Sequence, residues 1–396
     1  MMKFTELPLS APLQQKLAAN NFETTTPIQE AAIPFGLAGR DLMATAQTGT
    51  GKTLAFLIPI IEELSKCPAP GIQAIVLVPT RELAMQVAEQ YDMIRSRKLA
   101  PAAQVIGGLS EKKQLADLRA GAQMVVATPG RLEDYLRRRL VNLSTIKIVV
   151  LDEADRMLDM GFLPAIRRIM SVVPKKRHTM CFSATLETSV AGLVNEYLNK
   201  PERIAFGSIL KPCESVELHA FELTGMEKGD VLRQLLYAEK GQTLVFARTK
   251  RGTERLAKSL VRDGFSAAMI HGDRSQSQRT GALSGFQDGK YQVLVATDVA
   301  ARGIHIDDVA HVINYDLPSI AEDFIHRVGR TGRAGAGGRA TTLVAGAEVI
   351  ELRRMEKILK LRIERKTLDQ QKRMPSKNRD TLASRSITRL PGEVFV

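Results

Sequence analysis

The chain has 396 residues, 44% of them hydrophobic, and its 56 Lys and Arg outweigh 43 Asp and Glu to give a net charge of +13. That length exceeds one ordinary core and favours two or three domains, while the basic balance points to RNA or DNA as partner over a membrane surface. Met1 to Ser10 lacks an apolar core of signal-peptide length and Pro59 interrupts the longest aliphatic run, Ala55 to Ile61, so no membrane partner and a cytoplasmic location are expected.

In chain order, the strand-like run Leu42 to Thr45 leads into Ala46-Gln47-Thr48-Gly49-Thr50-Gly51-Lys52-Thr53, and the helix-like Leu54 to Leu64 follows. Small residues here let successive backbone N–H groups curl around the phosphates of a nucleoside triphosphate. Lys52 can reach the β and γ phosphates, and the Thr53 hydroxyl can ligate Mg²⁺. Ala46 stands where the usual pattern has its first glycine. Further strands are expected at Ala74 to Val78, Met124 to Ala127, Ile146 to Leu151 and Thr179 to Phe182. A second series follows at Thr243 to Phe246, Ala267 to Ile270, Gln292 to Ala296, Ala310 to Asn314 and Ala340 to Val344. Short β-branched runs alternating with amphipathic segments describe an α/β protein with parallel sheets covered on both faces. Between the series, Phe206 to Glu217 has little periodicity and reads as a linker.

The Ile146 to Leu151 strand delivers Asp152-Glu153-Ala154-Asp155 to its carboxyl end, where ligands of open α/β sheets sit. Asp152 can hold Mg²⁺, directly or through water, and Glu153 can orient and deprotonate an attacking water. The second half lacks such a loop: Gly289-Lys290 is followed by Tyr291, which has no place on a metal there, so one triphosphate site is expected. Past about residue 365 the chain is polar and basic, either a solvated tail or a mobile arm able to touch phosphates. Cys67, Cys181 and Cys213 have no metal or dithiol spacing and suit a reducing compartment.

With these motifs in this order, the chain resembles the DEAD-box RNA helicases over nearly all of residues 4 to 345. The resemblance implies two tandem RecA-like domains, residues 1–207 and 218–365, a linker at 208–217 and a basic tail at 366–396. ATP and RNA would be bound across the interdomain cleft. Phe22, Thr24 and Gln29 then resemble the adenine-reading Q motif, with Phe4 upstream, Thr25 at the usual proline and Asn21 at the usual glycine. An aromatic face stacks on adenine, and an amide pairs with a donor and an acceptor on its edge. Pro79, Thr80 and Arg81, then Gly108, then Thr128, Pro129, Gly130 and Arg131 resemble the first domain's RNA contacts. Such groups grip phosphates and 2′-hydroxyls without reading bases. Ser183 and Thr185 resemble the motif that links the nucleotide site to the RNA face, with hydroxyls able to bond the acidic cluster and the opposing domain, and Asp155 resembles a coupling residue.

In the second half, Arg248, Gly272, Gln276, Arg279 and Thr297 resemble RNA contacts, and Asp298 a coupling residue. His326, Arg330 and Arg333 resemble the arginine-finger motif. Two arginines three residues apart on a helical turn share a face and can clamp a γ-phosphate in the transition state. Gly303 and Asp307 resemble ribose-side contacts, with His305 where the family has an acid, so that contact is expected to be weakened, altered or moved to Asp307. The expected activity is RNA-stimulated ATP hydrolysis driving domain closure, RNA bending and local, non-processive unwinding. An ATP-gated RNA clamp or assembly scaffold uses the same motifs, and a DNA helicase of a related branch predicts equal stimulation by DNA. The short tail is similar to that of compact bacterial helicases of the RhlE type. A monomeric core, with ribosomal or RNA-degradation proteins as candidate partners, is expected.

Overall fold

The computed structural model describes residues 2–46, 49–66, 69–185, 188–206, 216–224, 227–301, 309–332 and 337–367. Gln47, Thr48, Cys67, Cys213, Gly303, His305, Asp307, Arg333, most of the expected linker and nearly all of the tail lie outside the described residues.

The first domain carries β1 (Leu42–Thr45), β2 (Ala74–Leu77), β3 (Ala103–Val105), β4 (Met124–Ala127), β5 (Ile148–Leu151), β6 (His178–Ser183) and β7 (Glu202–Ala205). They form a seven-stranded sheet in the order β3-β4-β2-β5-β6-β1-β7, with every pairing parallel. The second carries β8 (Val216–Leu223), β9 (Thr243–Phe246), β10 (Ala267–Ile270), β11 (Val293–Ala296), β12 (His311–Asn314), β13 (Gly338–Ala345) and β14 (Glu364–Lys366). Their order, β10-β11-β9-β12-β13-β8-β14, repeats the first strand for strand, again all parallel. The tandem parallel α/β architecture expected from the sequence is the one observed.

Strand residues alternate between sheet faces, so a sheet covered on both sides needs apolar residues at every position. Ala74 and Val76 of β2 enter one core while Ile75 and Leu77 enter the other. Leu244 and Phe246 of β9 are likewise separated from Val245. Helices between strands seal these cores, and several start on a hydroxyl cap. Thr80, Ser110, Thr249 and Ser275 each accept a backbone N–H from the first turn.

Two expected boundaries shift. Val216 and Glu217, placed in the linker from sequence, belong to β8, whose ladder with β13 begins at Val216–Gly338. Lys366, placed in the tail, belongs to β14, which pairs with β8. Its polar sequence is held by backbone bonding at a sheet edge and by Arg365, which pairs with Glu222 at 2.7 Å and Glu356 at 2.8 Å.

Candidate active site

Three neighbouring strands, β5, β6 and β1, deliver the first domain's chemistry to one edge of the sheet. After β1, Gly49 and Gly51 have φ of +86° and +90°, a backbone region open to glycine at little cost. A Cβ on Gly51 would lie 2.4 Å from Gln29 Nε2. The Gln29 amide is held at both ends: Nε2 donates to the Gly51 carbonyl at 2.9 Å, and Oε1 accepts the Thr26 N–H at 2.9 Å. It therefore ties the adenine-motif helix Pro27–Leu37 to the phosphate loop. Phe22 is half-buried and Thr24 exposed beside it, while Thr25 is fully buried, its hydroxyl donating to the Met2 carbonyl.

Lys52 opens the helix Lys52–Lys66, is 6% exposed, and donates from Nζ to the Ala46 carbonyl at 2.9 Å. That bond folds the loop back over its own strand and leaves two ammonium protons for a ligand. After β5, burial raises the Asp152 pKa to about 6; Lys52 opposes the rise and the neighbouring Glu153 charge adds to it. Glu153 sits at φ +51°, ψ +51°, a left-handed conformation costing a non-glycine residue about 1 kcal/mol. Its buried Oε2 has no hydrogen-bond partner, with Arg156 Nε 3.5 Å away. A buried carboxylate whose ionisation is disfavoured, next to a carboxylate oxygen that accepts no hydrogen bond, is hard-oxygen chemistry that fits Mg²⁺, and Thr53 follows Lys52 in the first turn of the helix after the phosphate loop.

Asp155 joins the acidic turn to β6. Its Oδ2 accepts the backbone N–H groups of Ala184 at 2.9 Å and Thr185 at 3.0 Å, and the Thr185 hydroxyl at 3.3 Å. The Ser183 hydroxyl accepts the Thr185 N–H at 3.3 Å. The predicted coupling residues of this domain are therefore in direct contact.

In the second domain, Arg327 is 2% exposed and grips Asp298 with two bonds, at 2.5 and 2.7 Å. It also donates to Asn314 Oδ1 at 3.0 Å and the Asp316 carbonyl at 2.6 Å, and lies 4.9 Å over the Phe246 ring. The helix that carries it, Ala321–Val328, stops there, with Gly329 as its C-cap and Gly332 at φ +69°. Arg330 thus lies in a turn beyond the helix that was expected to carry it, because Gly329 ends that helix first. Its expected companion on a shared face, Arg333, lies outside the described residues. Arg330 is buried and engaged, and His326 is half-buried one turn before it.

Nine of the thirteen predicted nucleic-acid residues line a cavity of about 550 Å³ between the domains; Pro129, Arg248, Gln276 and Thr297 are outside its lining. Pro79, Thr80, Arg81, Gly108, Thr128, Gly130 and Arg131 form the first domain's wall, and Gly272 and Arg279 face them. The Arg81 guanidinium lies against Gly108 (φ +77°), where a Cβ would come 2.3 Å from Nη1. Arg131 packs 5.4 Å over the Tyr135 ring and stands 3.8 Å from both Glu111 and Asp134. Pro129 is buried at the start of its helix. Gln276 and Arg279, predicted as RNA contacts, both bond Glu82 across the cleft: Gln276 Nε2 to Oε1 at 2.9 Å and Arg279 Nη2 to Oε2 at 2.8 Å. Burial lowers the Arg279 pKa, and the Glu82 charge opposes that shift. Thr297 is buried at the end of β11, and Arg248 is exposed, its guanidinium donating to the Leu317 carbonyl at 3.3 Å.

Sequence reasoning passed over Glu82, Arg156 and Arg327. Each adjoins a residue that it named, but each acts through a partner: Glu82 meets Arg279 across nearly two hundred residues of chain, and Arg327 meets Asp298 on another strand end.

The family model described as DEAD/DEAH box helicase matches residues 26–193, and that described as helicase conserved C-terminal domain matches residues 227–335. The DEAD-box ATP-dependent RNA helicase CshA of Bacillus subtilis is 40% identical over 363 residues, covering 91% of this chain and 73% of the relative. The ATP-dependent RNA helicase RhlB of Pseudomonas syringae pv. tomato is 40% identical over 368 residues, covering 90% and 92%. The structure of S. cerevisiae Dbp5 bound to RNA and ADP BeF3 superposes with a TM-score of 0.84 at 31% identity, covering 92% of this chain and 96% of that one.

Proposed function

The chain belongs to the DEAD-box family of ATP-dependent RNA helicases, and we propose that it hydrolyses ATP by closing its two domains on a bent RNA strand. Its activity is RNA-stimulated ATP hydrolysis coupled to RNA remodelling. The observation that carries the mechanism is the convergence of the phosphate loop, the acidic turn and Ser183–Thr185 on one sheet edge, with a second domain latched beside it through Glu82.

In this reading the phosphate-loop backbone from Ala46 to Thr53 cradles the triphosphate, and Lys52 leaves the Ala46 carbonyl to reach the β and γ phosphates. Phe22, Thr24 and Gln29 bound the adenine, while Gly303 and Asp307 serve the ribose side. Thr53 and Asp152 hold Mg²⁺, which neutralises phosphate charge when bound. The Glu153 oxygen that accepts no hydrogen bond aligns the attacking water and takes its proton. Arg330 and Arg333 supply positive charge from the second domain as negative charge spreads on the γ-phosphate, and His326 links them to the acidic turn.

RNA lies in the interdomain cavity, held through backbone contacts by the arginines, hydroxyls and glycines named above, so little sequence preference is expected. Gln276 and Arg279 serve it by fixing the position of the Glu82 helix. Asp155, Ser183 and Thr185 on one side and Asp298, held by Arg327, on the other transmit nucleotide state to that cavity. Closure excludes water and bends one strand out of a short duplex; loss of phosphate reopens the cleft. A cytoplasmic, monomeric helicase of the compact RhlE-like subgroup is the form we assign it. Ribosomal or RNA-degrading proteins remain its candidate partners.

Glu153→Gln tests the chemistry. The variant should bind ATP and RNA within about twofold of the parent yet hydrolyse ATP roughly 10²–10⁴-fold more slowly, accumulating a long-lived closed complex. Single-turnover hydrolysis at the parent rate would remove Glu153 from the base role. Displacement of a short duplex, compared with ATP-gated retention of a single strand, separates unwinding from clamping.

A further inference from the structure

On the second domain, a groove of about 1070 Å³ opens between the helices Lys228–Ala238 and Lys250–Arg262, with Ala247 and Tyr315 in its lining. Arg251, Arg255, Lys258 and Arg262 line it at intervals i, i+4, i+7 and i+11, hence from one face of the second helix. At 1.5 Å per residue this stripe is about 16 Å long, roughly the axial length of four to five phosphates in a helical strand.

Of the three carboxylates lining the groove, Glu254 and Asp316 are engaged and the third, Glu227, is exposed before the start of the first helix. Glu254 is bound by Lys258 at 2.8 Å, and Asp316 accepts the Arg248 backbone N–H at 2.9 Å and lies 3.8 Å from Lys228. Across the groove Arg233 is held by Asp230 and, at 3.1 Å, by Asp263. Arg251 and Arg255 differ from all of these: both are exposed, and neither side chain makes a hydrogen bond or ion pair among the described residues. Two permanent cations without an ion-pair partner therefore line a groove in which two of the three carboxylates are engaged.

The groove also lies next to the interdomain cavity. The stripe's helix starts at Thr249–Lys250, and Lys250 Nζ bonds Asp273 at 2.5 Å beside Gly272, which lines that cavity. A strand leaving the cavity past Gly272 meets this helix at its amino-terminal turn.

We propose that this groove is a second RNA-binding surface, which holds by its phosphates the single-stranded flank of an RNA already seated in the interdomain cavity. The proposal rests on the reading of that cavity as the RNA cleft. RNA is favoured over an acidic polypeptide because the groove adjoins the nucleic-acid cavity at Lys250 and Gly272 and its free cations are guanidinium groups suited to phosphate. The flank would add affinity and salt sensitivity without adding sequence preference.

The test compares two RNAs on the full chain with a non-hydrolysable ATP analogue: the shortest single strand that fully stimulates ATP hydrolysis, and the same strand extended by oligouridine at one end or the other. The parent should bind one extended strand more tightly than the short one. An Arg251→Ala/Arg255→Ala double variant should lose about tenfold of affinity for that strand, and its log K against log salt slope should shrink by about 1.4. Binding of the short strand, and the ATP turnover it stimulates, should stay within about twofold, and Arg251→Lys/Arg255→Lys should restore most of the loss. Parent-like binding of both extended strands by the double alanine variant overturns the proposal, as does an equal loss for short and extended strands. If extended RNA is unaffected while polyglutamate binding falls, the groove serves an acidic polypeptide and the RNA proposal is wrong. Failure of the parent to bind the short strand at all would instead overturn the cleft reading.

Discussion

The helix after β1 and the helix after β8 occupy equivalent places in two sheets of identical strand order, and each begins at a lysine, Lys52 and Lys228. Lys52 donates to a loop carbonyl and lies near Asp152, leaving its charge available to phosphate. Lys228 is clamped by Glu348 at 2.6 Å and donates to the Tyr315 carbonyl at 2.9 Å. The difference extends to the neighbouring strand end, where β5 is followed by Asp152-Glu153 and β12 by Tyr315-Asp316. Topology fixes where a ligand edge lies; side chains decide whether it binds nucleotide. The Gly289-Lys290 pair considered from sequence is not the counterpart of the phosphate loop at all, because it sits in the turn after the helix Gln276–Gln287.

The sharpest way to break this contrast is to remove each lysine. Lys52→Ala should reduce kcat/KM for ATP by roughly 10³-fold, in line with the loss of a preorganised charge on a transferring phosphoryl group. Lys228→Ala should leave turnover within about twofold and affect only folding stability, because its partners are structural. A matching loss of turnover at unchanged stability would mean that the second domain retains a nucleotide role.

A smaller effect is expected at the junction between the regions. Removing one member of a buried ion pair costs about 3–5 kcal/mol when both groups stay desolvated, and domain opening relieves part of that. Glu82→Ala should therefore lower RNA-stimulated turnover by about 10–100-fold with little change in basal ATP binding. In a double-mutant cycle with Arg279→Ala the two losses should be strongly non-additive. Independent, additive losses would show that the contact does not hold the domains together.

The smallest effect concerns acid stability. His311, 1% exposed in β12, has its pKa pushed down by burial to about 4, with Glu239 opposing. The unfolded chain binds this proton from about pH 6.5 downward while the folded domain refuses it until about pH 4, so stability falls as pH drops through that window. The loss amounts to about 2 kcal/mol between pH 7 and pH 5. His178 in the first domain shifts the same way, again through burial. Denaturant melts of a His311→Asn variant should accordingly lose part of the pH dependence; an unchanged pH slope would remove His311 as a contributor.

Legibility in the sequence follows what holds each element. Interior strands such as β1, β4 and β9 were readable to the residue, because burial on both faces demands unbroken apolar runs. The outer β7 (Glu-Arg-Ile-Ala) and β14 (Glu-Arg-Lys), with the mixed β8, were not, since backbone pairing rather than composition holds them. β3, at the opposite edge of the first sheet and only three residues long, was missed as well. Local motifs revealed the phosphate loop and the acidic turn, whose parts lie within a few residues of one another. The Glu82 junction and the Arg327–Asp298 clamp were hidden because their meaning depends on partners brought together only by the fold. Gln29 was legible as a site residue, yet its bond to Gly51 was not.

The most direct test of a nucleotide site completed by the second domain is to measure ATP affinity and single-turnover hydrolysis, with saturating RNA, for Arg330→Ala. The account predicts ATP affinity within a few-fold of the parent and hydrolysis slowed by roughly 10³-fold, the scale of an arginine finger. Hydrolysis at the parent rate, or a loss fully explained by weaker ATP binding, would contradict it.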